Sequence, residues 1–386
     1  MDATGGMRIL SIVLLTAGTC VAAPFVPADP KEVLETLPVA SADRFSQLRL
    51  ELASDPRNLE LATRAARGYI QRARAEADPR YLGYAQAALA PWWDAGAPAS
   101  VLVLRATIRQ SLHDFPNALA DLSAALKIEP RNAQAWLTRA TIQQVRGAFG
   151  EAMESCRPLE RLAGELVATA CWAGAASMSG QAESSYERLR DALARQRGAS
   201  PGVRQWVLTS LAEMAGRRGK SRLAETHFKE ALAAAEADAY LKGAYADFLL
   251  DQGRDAEVAA LLKNEIRADG LLLRLALAEA ALGLPRAGER VAALEARFSA
   301  ARLRGDSLHR REEARFALHL LKQPHDALRL AQENWAVHRE PWDARIYLEA
   351  ALAARKPGAA RPVIEWLEEN RVEDVSLASL AREAAR

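Results

Sequence analysis

The chain has 386 residues, of which half are apolar but only 6% are aromatic, and 51 basic and 49 acidic residues give a formal net charge of +2. This balance excludes a protein that coats nucleic acid through a general excess of basic residues. Alanine, leucine, arginine and glutamate dominate from residue 45 onward, and all four are strong helix formers. The composition predicts an all-α protein.

The first residues differ in character from the rest of the chain. Arg8 precedes an apolar run over residues 9–17, and small residues follow at positions 20–23. This order is typical of a secretory signal peptide over residues 1–22, with cleavage expected near Ala22. The sequence leaves open a start at Met1 or at Met7, and Met7 suits the pattern better because Asp2 fits a positively charged leading segment poorly. We therefore expect an exported protein, periplasmic or secreted.

Cys20 offers an alternative interpretation of the same segment. A lipoprotein signal would end at this cysteine, and the protein would then be a lipid-anchored envelope structural subunit or assembly factor. The residues before it, Ala17, Gly18 and Thr19, depart from the usual lipoprotein pattern. The sequence therefore favours cleavage near Ala22 over a lipid anchor. No later stretch is long and apolar enough to cross a membrane.

Two cysteines, Cys156 and Cys171, remain after such a cleavage. An even number of cysteines in an oxidising compartment is consistent with a disulfide, and their separation of 15 positions places them on neighbouring antiparallel helices. Two buried thiols that act as small apolar side chains are the alternative. The sequence leaves both possibilities open.

Small residues return about every 34 positions along the middle of the chain. Ala106 and Ala118 recur as Ala140 and Ala152 in the next segment. Between such pairs, glycines recur at one offset, at positions 147, 180, 219 and 253. A period of this length is typical of stacked helix hairpins, because small residues let two helices approach closely and glycine accepts the left-handed turn between them.

The repeating positions resemble the tetratricopeptide repeat. In the segment that starts at Ala99, its signature positions are Leu102, Ala106, Ala118, Leu122, Ala125 and Pro130. The resemblance is clearest over residues 99–265. It implies a right-handed α-solenoid of about eight or nine antiparallel helix hairpins over residues 45–372. A linker with a short helix over residues 23–44 would precede the solenoid, and a capping helix over residues 373–386 would follow it.

The resemblance also implies a binding surface, because the first helices of such repeats line a concave groove. The positions that would face the groove include Gln110, Gln134, Thr141, Gln144, Trp206, Glu213, Arg217, Tyr240 and Asp247. The early part of this set is uncharged, and the later part is aromatic and of mixed charge. Such a surface predicts the capture of a protein or peptide partner by a scaffold or adaptor.

No group of residues in the sequence indicates catalysis. Residues 198–202 match the G-x-S-x-G spacing of a nucleophile elbow, but a helix is expected before them and Pro201 has no N–H for an oxyanion hole. None of the six histidines has the spacing of paired metal ligands. The sequence therefore predicts a protein that is not an enzyme and that has no cofactor, metal site or nucleic-acid partner.

Overall fold

The computed structural model describes residues 44–94, 96–306 and 308–386, with side chains from residue 47 onward. The predicted signal peptide, the cleavage site near Ala22, Cys20 and residues 23–43 of the predicted linker lie outside this part of the chain. All regular secondary structure in the described ranges is helical. None of these helices has the length and apolar composition needed to span a bilayer.

The helices follow one another with short connections. The first eleven are α1 (Arg44–Ser54), α2 (Leu59–Glu76), α3 (Arg80–Leu89), α4 (Ala99–Ser111), α5 (Phe115–Ile128), α6 (Ala133–Val145), α7 (Phe149–Cys156), α8 (Leu159–Leu162), α9 (Glu165–Ala176), α10 (Ala182–Arg195) and α11 (Pro201–Arg217). The others are α12 (Ser221–Ala234), α13 (Ala239–Asp251), α14 (Asp255–Leu262), α15 (Asp269–Ala281), α16 (Ala287–Leu303), α17 (Arg310–His319), α18 (Pro324–Trp335), α19 (Pro341–Ala353), α20 (Arg361–Asn370) and α21 (Val375–Ala384).

Successive helices contact each other in pairs and form nine hairpins in the described residues. We number them hairpin 1 (α2, α3), 2 (α4, α5), 3 (α6, α7), 4 (α9, α10), 5 (α11, α12), 6 (α13, α14), 7 (α15, α16), 8 (α17, α18) and 9 (α19, α20). The short α8 follows α7 after an interruption at Pro158, which cannot continue the helical hydrogen-bond ladder. The predicted all-α array of eight or nine helix hairpins is confirmed.

The alanines of the repeat pattern are buried on helices that contact each other within a hairpin. Ala106 and Ala118 have no solvent-exposed surface, and neither do Ala140 and Ala152. A methyl side chain at these positions keeps the two helices of a hairpin near the lower limit of helix separation.

The turn inside each hairpin depends on one residue with a left-handed backbone. Gly147, Gly180, Gly219 and Gly253 have φ values of 75°, 75°, 71° and 66°. Hairpin 2 carries His113 at the same place, with φ of 60°. This conformation disfavours a residue with a Cβ by about 1 kcal/mol, so the imidazole is held there against the backbone preference.

The two helices of a hairpin differ in how they are buried. In hairpin 7, α15 is buried on several sides, through Leu271–Leu273, Leu275, Ala276, Ala278 and Glu279. Its partner α16 buries only Leu294 and Phe298, and its other residues are half-buried or exposed. A helix that is apolar on all sides is enclosed by other elements, whereas an amphipathic helix lies at the surface. The first helices therefore form the inside of the array and the second helices form the outside.

Ala118 offers a test of the close helix approach. Ala118→Leu adds a branched side chain where no free surface exists, and we expect the free energy of unfolding to fall by about 1–3 kcal/mol. Ala120→Leu changes an exposed position of the same helix and is the matched control, with an expected change within about 0.5 kcal/mol. Urea unfolding followed by circular dichroism measures both variants. Equal stability of the two variants would contradict the close approach.

Candidate partner-binding surface

The inside of the array is bridged by its own side chains. The Arg315 guanidinium of hairpin 8 donates to the Asp247 carboxylate of hairpin 6, with an Nη1–Oδ1 distance of 2.6 Å. Arg345 of hairpin 9 donates to Asp251 of hairpin 6, with an Nη1–Oδ2 distance of 2.7 Å. Helices α2 and α13 also contact each other, although four hairpins separate them along the chain. These contacts close part of the groove that the sequence predicts to be open.

Asp247 is the centre of this internal network. Its second carboxylate oxygen accepts a hydrogen bond from Arg274, with an Nη2–Oδ2 distance of 2.5 Å. The side chain is 3% exposed. Burial raises the pKa of the Asp247 carboxyl, but the charges of Arg274 and Arg315 outweigh burial and hold the pKa below its usual value. Asp247, which the sequence analysis assigns to partner binding, is thus bound by two arginines of the same chain.

Trp342 extends the network between hairpins 8 and 9. The guanidinium groups of Arg315 and Arg345 lie 4.7 and 4.5 Å from its ring centroid. Arg345 also pairs with Glu349 at 2.8 Å. Each arginine therefore combines a carboxylate partner with an aromatic face, an arrangement that strengthens a partly desolvated ion pair.

Asp247→Asn tests the importance of this network for stability. The substitution keeps the side-chain volume but leaves two buried guanidinium groups without their anion, and we expect a loss of about 3–5 kcal/mol. Asp251→Asn is the matched control, because the more exposed Asp251–Arg345 pair should contribute about 1 kcal/mol or less. Thermal and urea unfolding measure both. A smaller loss at Asp247 than at Asp251 would contradict the role given to the network.

A second set of contacts joins the turns of hairpins 2–5 to the C-terminal end of the array. The backbone N–H of Arg339 donates to the carbonyl of Val145, with an N–O distance of 2.8 Å. Further contacts place Trp366 against Gly147, Arg371 against Gly180 and Val375 against Gly219. We call this set, with the His113–His338 contact described below, the closure seam.

Apolar side chains make the closure seam a continuous core. Phe149 and Met178 of the region around hairpins 3 and 4 belong to the same buried cluster as Trp335 and Trp366 of hairpins 8 and 9. The Trp366 ring lies 5.2 Å from the Trp335 ring and 6.0 Å from the Phe149 ring. Helix α21 packs on α19 within this cluster. The segment predicted as a terminal cap therefore contains a helix that also reaches hairpin 5, where Val375 contacts Gly219.

Two histidines face each other at one end of the closure seam. The ring centroids of His113 and His338 are 4.1 Å apart, and Phe115 lies 5.1 Å from His338. His338 is buried, and its Nε2 has no hydrogen-bond partner among the described residues. Burial is the main cause that lowers the pKa of His113 to about 4, and the nearby His338 and Arg311 lower it further. The contact therefore holds a neutral imidazole.

His338 is also near two carboxylates, because possible ligand atoms of His338, Glu340 and Asp343 lie within 4.8 Å of one another. Both carboxylates already have partners. Asp343 accepts from the backbone N–H of Glu340 and from the Asn334 amide, each at 2.8 Å. Arg311 pairs with Glu340 at 3.1 Å. This cluster is accounted for by a helix cap and an ion pair, and we assign no metal to it.

His113 makes the closure seam sensitive to acid. The pKa of His113 is near the ordinary 6.5 in the unfolded chain and about 4 in the folded one. As the pH falls from 6.5 towards 4 the unfolded chain takes up a proton that the folded chain does not, so the free energy of unfolding falls by up to about 3 kcal/mol. His113→Gly keeps the left-handed turn and removes the titrating ring, so its stability should depend less on pH over this range. Urea unfolding at pH 7, 6, 5 and 4 compares the two proteins, and parallel curves would refute the assignment.

The side chains assigned to partner binding fall into different environments. Among those that bind neighbours, the Gln144 amide donates to the Cys171 carbonyl at 3.1 Å, and Arg217 donates to the Ser177 hydroxyl at 3.1 Å. The Thr141 hydroxyl donates to the carbonyl of Leu137 in its own helix. Gln110 is half-buried, and the exposed Gln134 donates to the Thr138 hydroxyl. Few of the predicted residues therefore present free polar groups.

The two cysteines lie next to Gln144. Cys156 of α7 and Cys171 of α9 are joined by a disulfide, with a Cα–Cα distance of 5.7 Å. Both residues are buried. The bond links hairpins 3 and 4. One of its two residues, Cys171, is also the residue whose carbonyl accepts from Gln144.

Two large aromatic residues stay accessible at equivalent places on the first helices of hairpins 5 and 6. Trp206 is 36% exposed and Tyr240 is 64% exposed. The Tyr240 hydroxyl donates to the Glu213 carboxylate, with an O–O distance of 2.7 Å. We call Trp206, Glu213 and Tyr240 the open rim, because they are accessible positions of the predicted groove that the closure contacts leave uncovered.

The open rim is accessible to water but surrounded by protein. Burial by the surrounding helices is the main cause that raises the pKa of Glu213, and the hydrogen bond from Tyr240 and the charge of Arg217 offset it only in part. The negative charge of Glu213 is the main cause that raises the pKa of Tyr240 well above its usual value. The charges of Glu340 and Arg311 also act on Tyr240. Tyr240 is therefore close enough to the start of α17 and to the residue before α19 to be influenced by their charges.

No protein-family model matches the chain, and no curated protein matches it either. Among solved structures, the fold is similar to a chain of the APC/C hetero-tetramer Cut9–Hcn1, with 13% identity and a TM-score of 0.40, over 89% of this chain and 52% of that chain. This chain thus spans about half the length of that relative. It is also similar to yeast Tom70, with 11% identity, a TM-score of 0.42 and coverages of 88% and 84%.

A tetratricopeptide repeat protein from Parabacteroides merdae is similar at 13% identity and a TM-score of 0.33, over 75% of this chain and 99% of that chain. Likenesses at these TM-scores carry no weight for a partner or an activity. The fold assignment stands on the paired helices, buried alanines and left-handed turns of the chain itself. The chain is a solenoid of tetratricopeptide-like hairpins.

The sequence analysis missed the arginines and the tryptophan that bridge the inside. A signal for two of them exists, because Arg274 and Trp342 lie on first helices that are otherwise rich in alanine and leucine, whereas Arg315 lies on α17, which carries several other charged residues. A charged residue on a helix that is enclosed on several sides requires a buried partner of opposite charge. Asp247 is the carboxylate that meets this requirement for both arginines.

Proposed function

We propose that the chain is an exported protein-interaction scaffold or adaptor, without catalytic activity, that captures a protein or peptide partner at the open rim. The observation that carries this proposal is the exposure of Trp206 and Tyr240 on the inner helices of hairpins 5 and 6. Other large apolar residues of these helices are buried, as Leu208 and Leu241 are, or partly buried, as Phe248 is. Exposed aromatic side chains are among those that contribute most to protein recognition.

The ion pairs of Asp247 and Asp251 support a binding surface at the open rim rather than along the whole inner face. Asp247 and Asp251 are paired with arginines of hairpins 7–9, so the inner face next to them is occupied by the chain itself. A partner could compete for these groups only by breaking the buried pairs of Asp247 or the more exposed Asp251–Arg345 pair. The open rim needs no such rearrangement, because its aromatic rings are already in contact with solvent.

Two observations support export. The N-terminal pattern that ends near Ala22 is typical of a secretory signal. The disulfide between Cys156 and Cys171 is the kind of bond that persists in an oxidising compartment. Together they favour a periplasmic or secreted location, in which the partner would be another exported or envelope protein.

The double variant Trp206→Ala, Tyr240→Ala tests the proposal. We expect it to lose most of its capture of partners from a native envelope extract while its melting temperature stays within a few degrees of wild type, because both side chains are exposed. Quantitative mass spectrometry of the captured proteins measures the loss against the wild-type chain.

Ile128→Ala with Leu303→Ala is the matched control, since it removes two exposed large apolar side chains outside the open rim. This control should capture the same proteins as wild type. Unchanged capture by the Trp206, Tyr240 variant would remove the open rim from the proposal.

A further inference from the structure

We propose that the open rim recognises a basic side chain, an arginine or a lysine of the partner, which would pair with Glu213 and lie against the exposed aromatic rings. This inference rests on the proposed function, because it names the chemistry of the group that the same surface would take. It makes the partner a peptide or protein segment with a positive charge at the point of contact.

Glu213 is a carboxylate without a cation. Among the described residues it accepts one hydrogen bond, from the Tyr240 hydroxyl, and forms no ion pair. The nearby Arg217 donates to the Ser177 hydroxyl, and Arg311 pairs with Glu312, Glu340 and Asp343. A carboxylate that is partly removed from water loses hydration free energy when it has no partner. An incoming cation would offset that loss.

The molecule already binds arginine in this way inside its own fold. Arg315 lies over the Trp342 ring at 4.7 Å and pairs with Asp247 at 2.6 Å. The open rim offers the same types of group: the Tyr240 phenol is bonded to Glu213, and the exposed Trp206 precedes Glu213 by seven positions, two helical turns, on α11. Among the described residues Glu213 forms no ion pair with an arginine of the chain. A cation over an aromatic face gains most when it is partly desolvated, which is the environment of Glu213.

Two synthetic peptides that differ only in charge test the inference. The first is a fluorescein-labelled Gly-Arg-Gly-Arg-Gly peptide, and the second has citrulline, an uncharged isostere, at both arginine positions. Fluorescence anisotropy at low ionic strength should show that the arginine peptide binds wild-type protein at least about tenfold more tightly than the citrulline peptide.

Three variants locate the effect. Glu213→Gln and, separately, Trp206→Ala should each weaken binding of the arginine peptide about tenfold. Glu187→Gln removes the same charge from an exposed position on α10 and should leave binding unchanged. Circular dichroism checks that Glu213→Gln is folded, and the exposed Trp206 gives a second variant that does not depend on it.

Equal weakening by Glu213→Gln and Glu187→Gln would overturn the inference, since it would indicate a general attraction to charge. Equal binding of the arginine and citrulline peptides would overturn it as well. Either result leaves the proposed function standing if the Trp206, Tyr240 double variant still loses its native partner. The experiments therefore distinguish a failure of this inference from a failure of the proposed function.

Discussion

Close helix packing through alanine is the constraint on which the rest of the structure depends. Because side chains such as Ala106 and Ala118 occupy little space, the two helices of each hairpin lie close together, and the first helices are enclosed by their neighbours. Long side chains from hairpins 8 and 9 then reach hairpin 6 across the inside, as Arg315 and Arg345 do. The ion pairs and the closure seam thus join hairpins that are far apart along the chain.

The helical array could be predicted from sequence because its determinants are local. The recurrence of alanine and glycine about every 34 residues specifies a hairpin and its turn, and each contact joins segments that are close along the chain. His113 shows the limit of this reasoning. Its place in the repeat is that of a turn glycine, which Ala77, Lys322 and Arg355 also occupy in other hairpins. The contact of His113 with His338, more than two hundred residues away, has no signal in the repeat pattern.

The binding surface was harder to predict for the same reason. Repeat positions identify which side chains point inward, and Trp206, Tyr240 and Asp247 do lie on inner helices. They do not reveal which of these side chains the chain itself engages, because that depends on contacts between hairpins far apart in sequence. Asp247 is bound by arginines from hairpins 7 and 8, whereas the ring of Tyr240 stays 64% exposed. The distinction between a structural and a binding residue is therefore set by long-range contacts.

The closure seam has a consequence for how such an array can change in length. In an open solenoid each repeat contacts only the next, so whole repeats can be gained or lost while the remaining ones keep their contacts. Here Trp366 must reach Gly147 and Val375 must reach Gly219. Inserting or deleting one hairpin between them would move every one of these pairs out of alignment. The number of hairpins between these contact points is thus restricted, and length variation should be confined to the outer helices and their loops.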